Sequence, residues 1–94
     1  MPFDVLVAGE IFYDMIFTGL GRMPVLGEET FASGLHTAPG GIAITAIALK
    51  RLEIEPALAS DLGNDSYSAD LRKAILADGV ADTLITRHDR PLPT

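Results

Sequence analysis

Cysteine is absent from the 94 residues, so disulfides and thiolate metal sites are excluded. That absence fits a reducing compartment. Basic residues are few, seven Lys and Arg against thirteen Asp and Glu, and the formal net charge is −6. A chain of that sign lacks the electrostatic footprint of a nucleic-acid surface or of a partner for anionic membranes. No apolar run approaches the length needed to span a bilayer. The N-terminus has no basic region ahead of an apolar core, so no secretory signal is expected and the default location is cytoplasmic. Internal repeats and low-complexity segments are also missing. What remains is a composition that is 48% hydrophobic and 21% charged, which is globular and of a size for one domain at most.

The chain is organised around the stretch from Pro39 to Leu52. A proline and the pair Gly40-Gly41 precede a run of small and apolar residues that ends in Lys50-Arg51. The order predicts a tight turn feeding a buried helix over about 42–52. Glycines let a ligand approach the main chain closely, and the first N–H groups of a helix have no partners within it. The dipole there favours hydroxyl oxygens and anions. A glycine turn before a core helix, with no ligand, satisfies the same residues.

Before it, Asp4 to Gly9 form an apolar run without alternation, which predicts a central strand covered on both faces. Asp14 follows at the carboxyl edge, where open α/β sheets gather ligands. Met15 to Thr18 and Glu29 to Ser33 are weak strand candidates around a loop rich in glycine, together a hairpin-like flap. Gly19-Leu20-Gly21 lacks the third glycine of a dinucleotide fingerprint and no helical pattern follows it. His36 and His88 stand alone, as surface or hydrogen-bonded histidines. After the helix, Pro56 blocks continuation and Ala57 to Ser60 predict a second core strand. Asp61 to Ser66 carry turn chemistry and N-cap candidates. Tyr67, Leu71, Ala74 and Ile75 lie at helical spacing, with Gly79 as the stop. Val80 to Thr86 predict a further strand. The order strand, flap, helix, strand, helix, strand is an α/β pattern with parallel connections. Three or so core strands leave apolar helix surface uncovered, as in the front of something larger.

These residues resemble the ribokinase-like, or PfkB, carbohydrate kinases. Val5 to Ile11 with Asp14 are similar to that family's first strand and its substrate-binding aspartate. Pro24-Val25-Leu26-Gly27-Glu28 resembles the proline-x-x-glycine-glutamate turn of its lid. Gly40-Gly41 with Ala43, Ala46, Ala48, Leu49, Arg51 and Leu52 is similar to its first signature. Leu62-Gly63-Asn64-Asp65, Leu71, Leu76 and Gly79-Val80 resemble the next segment, and Pro93-Thr94 the start of a following strand. The resemblance implies the N-terminal part of a ribokinase-like doubly wound sheet with a small β lid. Residues 1–94 would be a partial α/β domain, with a flap at about 15–38 and helix–strand units over 39–94.

The departures are specific. Aligned on Arg51-Leu52, the family's sugar-binding asparagine falls at Ile44, and Thr45 is the nearest polar side chain. Glu53 replaces a glycine after arginine-leucine, and Ser68 replaces a glycine after the aromatic Tyr67. The glycine-x-glycine-aspartate turn that the family uses beside ATP does not occur; Gly63-Asn64-Asp65 lacks its leading glycine. The resemblance thus implies a substrate-binding portion with Asp14, Gly40, Gly41 and Thr45 on a sugar or nucleoside. No catalytic residue lies in this chain, and the ATP-binding half is absent from it. ATP and Mg2+ are implied cofactors, and a homodimer through the lid is an implied partner. Two other readings stay open: a stand-alone, non-catalytic module for a small polyol or anion (or a decayed kinase fragment), and a Rossmann-type domain that the incomplete glycine fingerprint disfavours.

Overall fold

The structure, a computed structural model, describes residues 2–92. The expected strand at Pro93-Thr94 lies outside them. Strand β1 (Val5–Ala8) leads into a hairpin of β2 (Ile11–Thr18) and β3 (Gly34–Gly41). Helix α1 (Ile42–Arg51), strand β4 (Pro56–Leu62), helix α2 (Ser66–Ala77) and strand β5 (Ile85–Arg87) follow. β1, β4 and β5 make a parallel sheet in that order, and β2 and β3 make a separate antiparallel pair. The α/β class, the parallel sheet and the small β hairpin are as expected.

The strand order advances in one direction, and both helices join one buried cluster. Val7, Ala43, Ala46, Leu58, Leu71 and Ile75 belong to it. Both helices therefore cover the same face. Among the described residues β1 pairs with β4 alone. Of its residues only Val7 is buried, and Leu6 is 66% exposed. Among the described residues the all-apolar run has a layer on one side only. β4 is the central strand, and its Pro56, Ala57 and Leu58 are buried.

α1 has the same imbalance. Ala43 and Ala46 are buried, but Ile44 is 58% exposed and Leu52 70%. The helix was expected to be buried nearly all round; its outer apolar face is uncovered. Lys50 and Arg51 occupy the last turn, where cations complement the dipole. The helix ends at Arg51 with Leu52 as its C-cap, and Ile54 N–H returns to the Leu49 carbonyl at 3.0 Å. That return needs a left-handed residue between them, and Glu53 supplies it at φ 63. Glu53 is the one non-glycine residue with positive φ among the described residues. It stands where the resembled family has glycine, so this departure carries backbone strain. Glu53→Gly is expected to stabilise the fold by about 0.5–1 kcal/mol, the strain relieved less the entropic cost of glycine. A denaturation midpoint that does not rise would show that Glu53 is unstrained.

α2 starts after Asp65 and ends before Gly79, which takes φ 82 as the expected stop. Two strand expectations are corrected. Residues 29–33 are irregular, and the second hairpin strand is Gly34–Gly41 instead. Of Val80 to Thr86, only Ile85 and Thr86 are in β5; Val80 is buried as a loop residue closing the core.

Candidate functional site

Asp14 lies in the middle of β2, opposite Ala38, and not in a turn. The apolar and aromatic residues around it favour extended backbone, and β3 supplies a full ladder from Thr18 to Ile11. The side chains of β2 alternate near its base. Ile11 is buried, and Tyr13 packs on the core and against the Tyr67 ring, centroids 4.8 Å apart. Phe12 and Asp14 face the other way, Phe12 exposed and Asp14 half-buried.

The glycine pair is also strand, not the expected tight turn. Pro39, Gly40 and Gly41 pair with Tyr13, Phe12 and Ile11 and finish β3. Proline is tolerated because β3 has no second partner strand among the described residues. The two glycines have different reasons to be glycine. At Gly40 the reason is space: an added Cβ would overlap the Asp14 carboxylate. At Gly41 it is conformation and space together. Gly41 caps α1 with φ 63, and a Cβ there would overlap the Glu10 carbonyl oxygen and lie 2.8 Å from the Phe12 ring.

Ile42, the first residue of α1, donates its N–H to the Glu10 carbonyl at 3.0 Å. The first helical N–H, expected to point at a ligand, is therefore spent on anchoring the helix to the end of β1. Thr45 is exposed in the first turns of α1. Asp14 and Gly40 are thus brought together, Gly41 adjoins them, and Thr45 lies one helical turn away from Gly41.

Beyond the carboxyl ends of β1, β4 and β5 is a cavity of about 220 Å³. Glu10, Phe12, Ser60, Asp61, His88 and Leu92 line it. The Ser60 hydroxyl donates to the Gly9 carbonyl at 2.6 Å, and the Thr86 hydroxyl donates to the Asp61 carboxylate. His88 N–H donates to the Leu62 carbonyl at 3.0 Å, and the ring Nδ1 is enclosed without a partner among the described residues. Sequence reasoning missed Ser60, Asp61 and His88 as site residues. The rule that placed Asp14 at the carboxyl edge would have found them once β4 and β5 were known to neighbour β1.

A second group of bonds holds the segment after β5 in place. Asp65 accepts from the Ser68 hydroxyl at 2.7 Å and from Leu92 N–H at 3.1 Å. Chiefly the Ser68 bond, then the Leu92 one, hold its carboxyl below the ordinary carboxylate range. Ser68 also accepts from Gly63 N–H at 2.9 Å. The serine that replaces a family glycine is buried and fully used in this network. Among the described residues no group of three or more His, Asp or Glu could hold a metal ion. No helix there is long and apolar enough to cross a membrane.

A parallel sheet with an antiparallel hairpin inserted after its first strand, and a glycine pair leading from that hairpin into the first helix, is the first part of the ribokinase-like kinase fold. The solved structures it resembles are carbohydrate and nucleoside kinases of that type. A fructokinase of Halothermothrix orenii is 29% identical with a TM-score of 0.74, over 92% of this chain and 30% of its own. A ribokinase of Cryptococcus neoformans var. grubii serotype A, in complex with ADP, is 24% identical with a TM-score of 0.74, over 93% and 27%. A nucleoside kinase of Burkholderia thailandensis, in complex with inosine, is 24% identical with a TM-score of 0.69, over 92% and 28%. The chain spans less than a third of the length of these structures. No family model matches it, and no curated protein does.

Proposed function

We propose that this chain is the substrate-binding portion of a carbohydrate kinase, which moves the γ-phosphate of ATP to a hydroxyl of a sugar or nucleoside. The observation that carries the reading is the Asp14 carboxylate laid against the bare backbone of Gly40, next to the start of α1. Ionised, it is an acceptor-only group with two oxygens, suited to neighbouring hydroxyls of one sugar. Gly40 and Gly41 form the wall behind the substrate, and Thr45 adds a hydroxyl from α1. The hairpin, over about 15–38, is the lid, and its exposed apolar residues Phe17, Leu26 and Phe31 offer a surface for a second copy.

In phosphoryl transfer the substrate oxygen bonds to the γ-phosphorus as ADP leaves, and the hydroxyl proton passes to a base. No residue of this chain is given the base role. Among its described residues no group of three or more His, Asp or Glu could hold a metal ion, and no nucleotide contact is assigned to them. Their part is to bind and orient the acceptor.

The test is an assay of ADP release with ribose, fructose and nucleosides. It uses the product of the complete coding sequence beside the 94-residue chain. The complete product is expected to release ADP only with substrate, and the 94-residue chain to release none above a no-protein control. Sustained release by the short chain, or a complete product that neither binds nor phosphorylates any sugar or nucleoside, would refute the reading.

A further inference from the structure

The segment after β5 lies against the turn between β4 and α2, and three hydrogen bonds hold it there. His88 N–H donates to the Leu62 carbonyl at 3.0 Å, Asn64 N–H to the Arg90 carbonyl at 2.9 Å, and Leu92 N–H to Asp65 Oδ1 at 3.1 Å. The approach is close because Gly63 has no side chain. A Cβ there would overlap the Arg90 carbonyl oxygen and lie 2.6 Å from the Leu92 nitrogen. The Arg90 side chain is exposed, and Leu92 is half-buried on the core cluster.

One of the three bonds is unlike the others. The first two join backbone to backbone. The third depends on two side chains. Asp65 Oδ1 also accepts from the Ser68 hydroxyl at 2.7 Å, and the Ser68 oxygen accepts from Gly63 N–H at 2.9 Å. A backbone N–H only donates, so the single hydroxyl proton is left for the carboxylate. That chain of donors turns Asp65 toward Leu92. Ser68 is 3% exposed, so water has little access to replace it. A glycine, which the resembled family has at this position, would leave the buried Gly63 amide without this acceptor and Asp65 without its tether.

The tethered segment reaches the cavity at the carboxyl ends of the sheet. Leu92 and His88 line it together with Glu10 and Phe12. Phe12 is on the strand that carries Asp14, and its ring is where a Gly41 side chain would go. The cavity is thus bounded by the tethered segment and by the strand of the proposed sugar site. Asp65 and Ser68 do not line it.

We infer that Ser68 and Asp65 are positioning residues for the substrate: they act through Leu92, which they fix as a wall of the cavity. The inference rests on the proposed sugar-kinase reading and adds to it two residues at the start of α2. A wall ordered in advance spares the substrate the entropy of ordering it, so loosening the tether weakens binding.

The experiment compares Asp65→Ala, Asp65→Asn and Ser68→Gly with wild type in the complete gene product, at a temperature where every variant is folded. The readouts are amide hydrogen exchange at Leu92, substrate KM and ATP KM. In Asp65→Ala the Leu92 amide is expected to exchange at least roughly fivefold faster. Substrate KM should rise at least roughly threefold, with ATP KM unchanged. Ser68→Gly should show the same pattern, and it answers the same question should Asp65→Ala not fold. Asparagine keeps an acceptor oxygen in the same place and should return exchange and substrate KM to within about twofold of wild type. A purely stabilising role would lower the melting temperature of Asp65→Ala and leave substrate KM alone; that result overturns the positioning role. Unchanged Leu92 exchange overturns the tether itself. If the complete product phosphorylates no sugar or nucleoside, the kinase reading and the positioning role fall together, whereas unchanged KM in an active enzyme removes the positioning role alone.

Discussion

Asp14→Ala in the complete gene product raises the KM for the sugar or nucleoside at least roughly tenfold and leaves the KM for ATP unchanged. Charge-assisted hydrogen bonds contribute about 1.5–3 kcal/mol each, and losing even one costs that factor in affinity. The structure changes what to expect of folding. Asp14 is half-buried in the middle of a strand, and its carboxylate fills the space that Gly40 leaves. It has no hydrogen-bond partner among the described residues, so truncation removes packing but orphans nothing. The stability change should stay below about 1 kcal/mol. Asp14→Asn keeps the shape and should fall between wild type and alanine in substrate KM. The three readouts are substrate KM, ATP KM and melting temperature. An unchanged substrate KM would sink the assignment of Asp14 to the sugar.

Gly41→Val is expected to disrupt the fold itself, not substrate binding alone. From sequence, the glycine pair could be a turn whose loss spares the scaffold. In the structure Gly41 is the last residue of β3 and the cap of α1, at φ 63, with the Glu10 carbonyl and the Phe12 ring where a side chain would go. A β-branched side chain meets the left-handed strain and displaces the carbonyl that receives Ile42 N–H. The two effects sum to about 2–4 kcal/mol. Gly40→Ala has no positive φ to contend with but collides with the Asp14 carboxylate. It should keep more of its stability and lose substrate affinity. Chemical denaturation and substrate titration on both variants check this. A Gly41→Val protein as stable as wild type would show that the β3–α1 junction can move aside.

The helices were legible because their signals are local. Lys50-Arg51 and the apolar run mark α1, and the spacing of Leu71 and Ile75 with Gly79 marks α2. Of the hairpin, the end of β2 at Met15 to Thr18 was legible too, but β3 was not, for a physical reason. Pro39-Gly40-Gly41 is turn chemistry by composition, and only its pairing with β2 makes it strand. Val80 likewise has strand propensity but finds no partner, so it packs from a loop. At the site, Asp14 and the glycine pair could be singled out because they sit beside the first strand and the first helix. Asp61 and His88 could not. Each is an ordinary turn residue until β5 is known to lie beside β4, and that adjacency is a property of the assembled sheet.

The ladder from Ile11–Gly41 to Thr18–Gly34 is unbroken, and β3 passes into α1 with no intervening loop. The hairpin is therefore a lever with its fulcrum at Gly41. Asp14 rides on the lever arm, four residues, or about 13 Å of extended chain, from the far end at Thr18. A tilt of roughly 5° about the fulcrum displaces Thr18 by about 1 Å or more relative to a point level with Asp14, at ~3.3 Å per residue. If the proposed substrate sits on the carboxylate, the same ribbon links it to the loop at 19–33. A second copy of the chain gripping that loop would, by the same stiffness, set the position of Asp14. Occupancy and assembly would then be read through one rigid ribbon, with no separate relay between them.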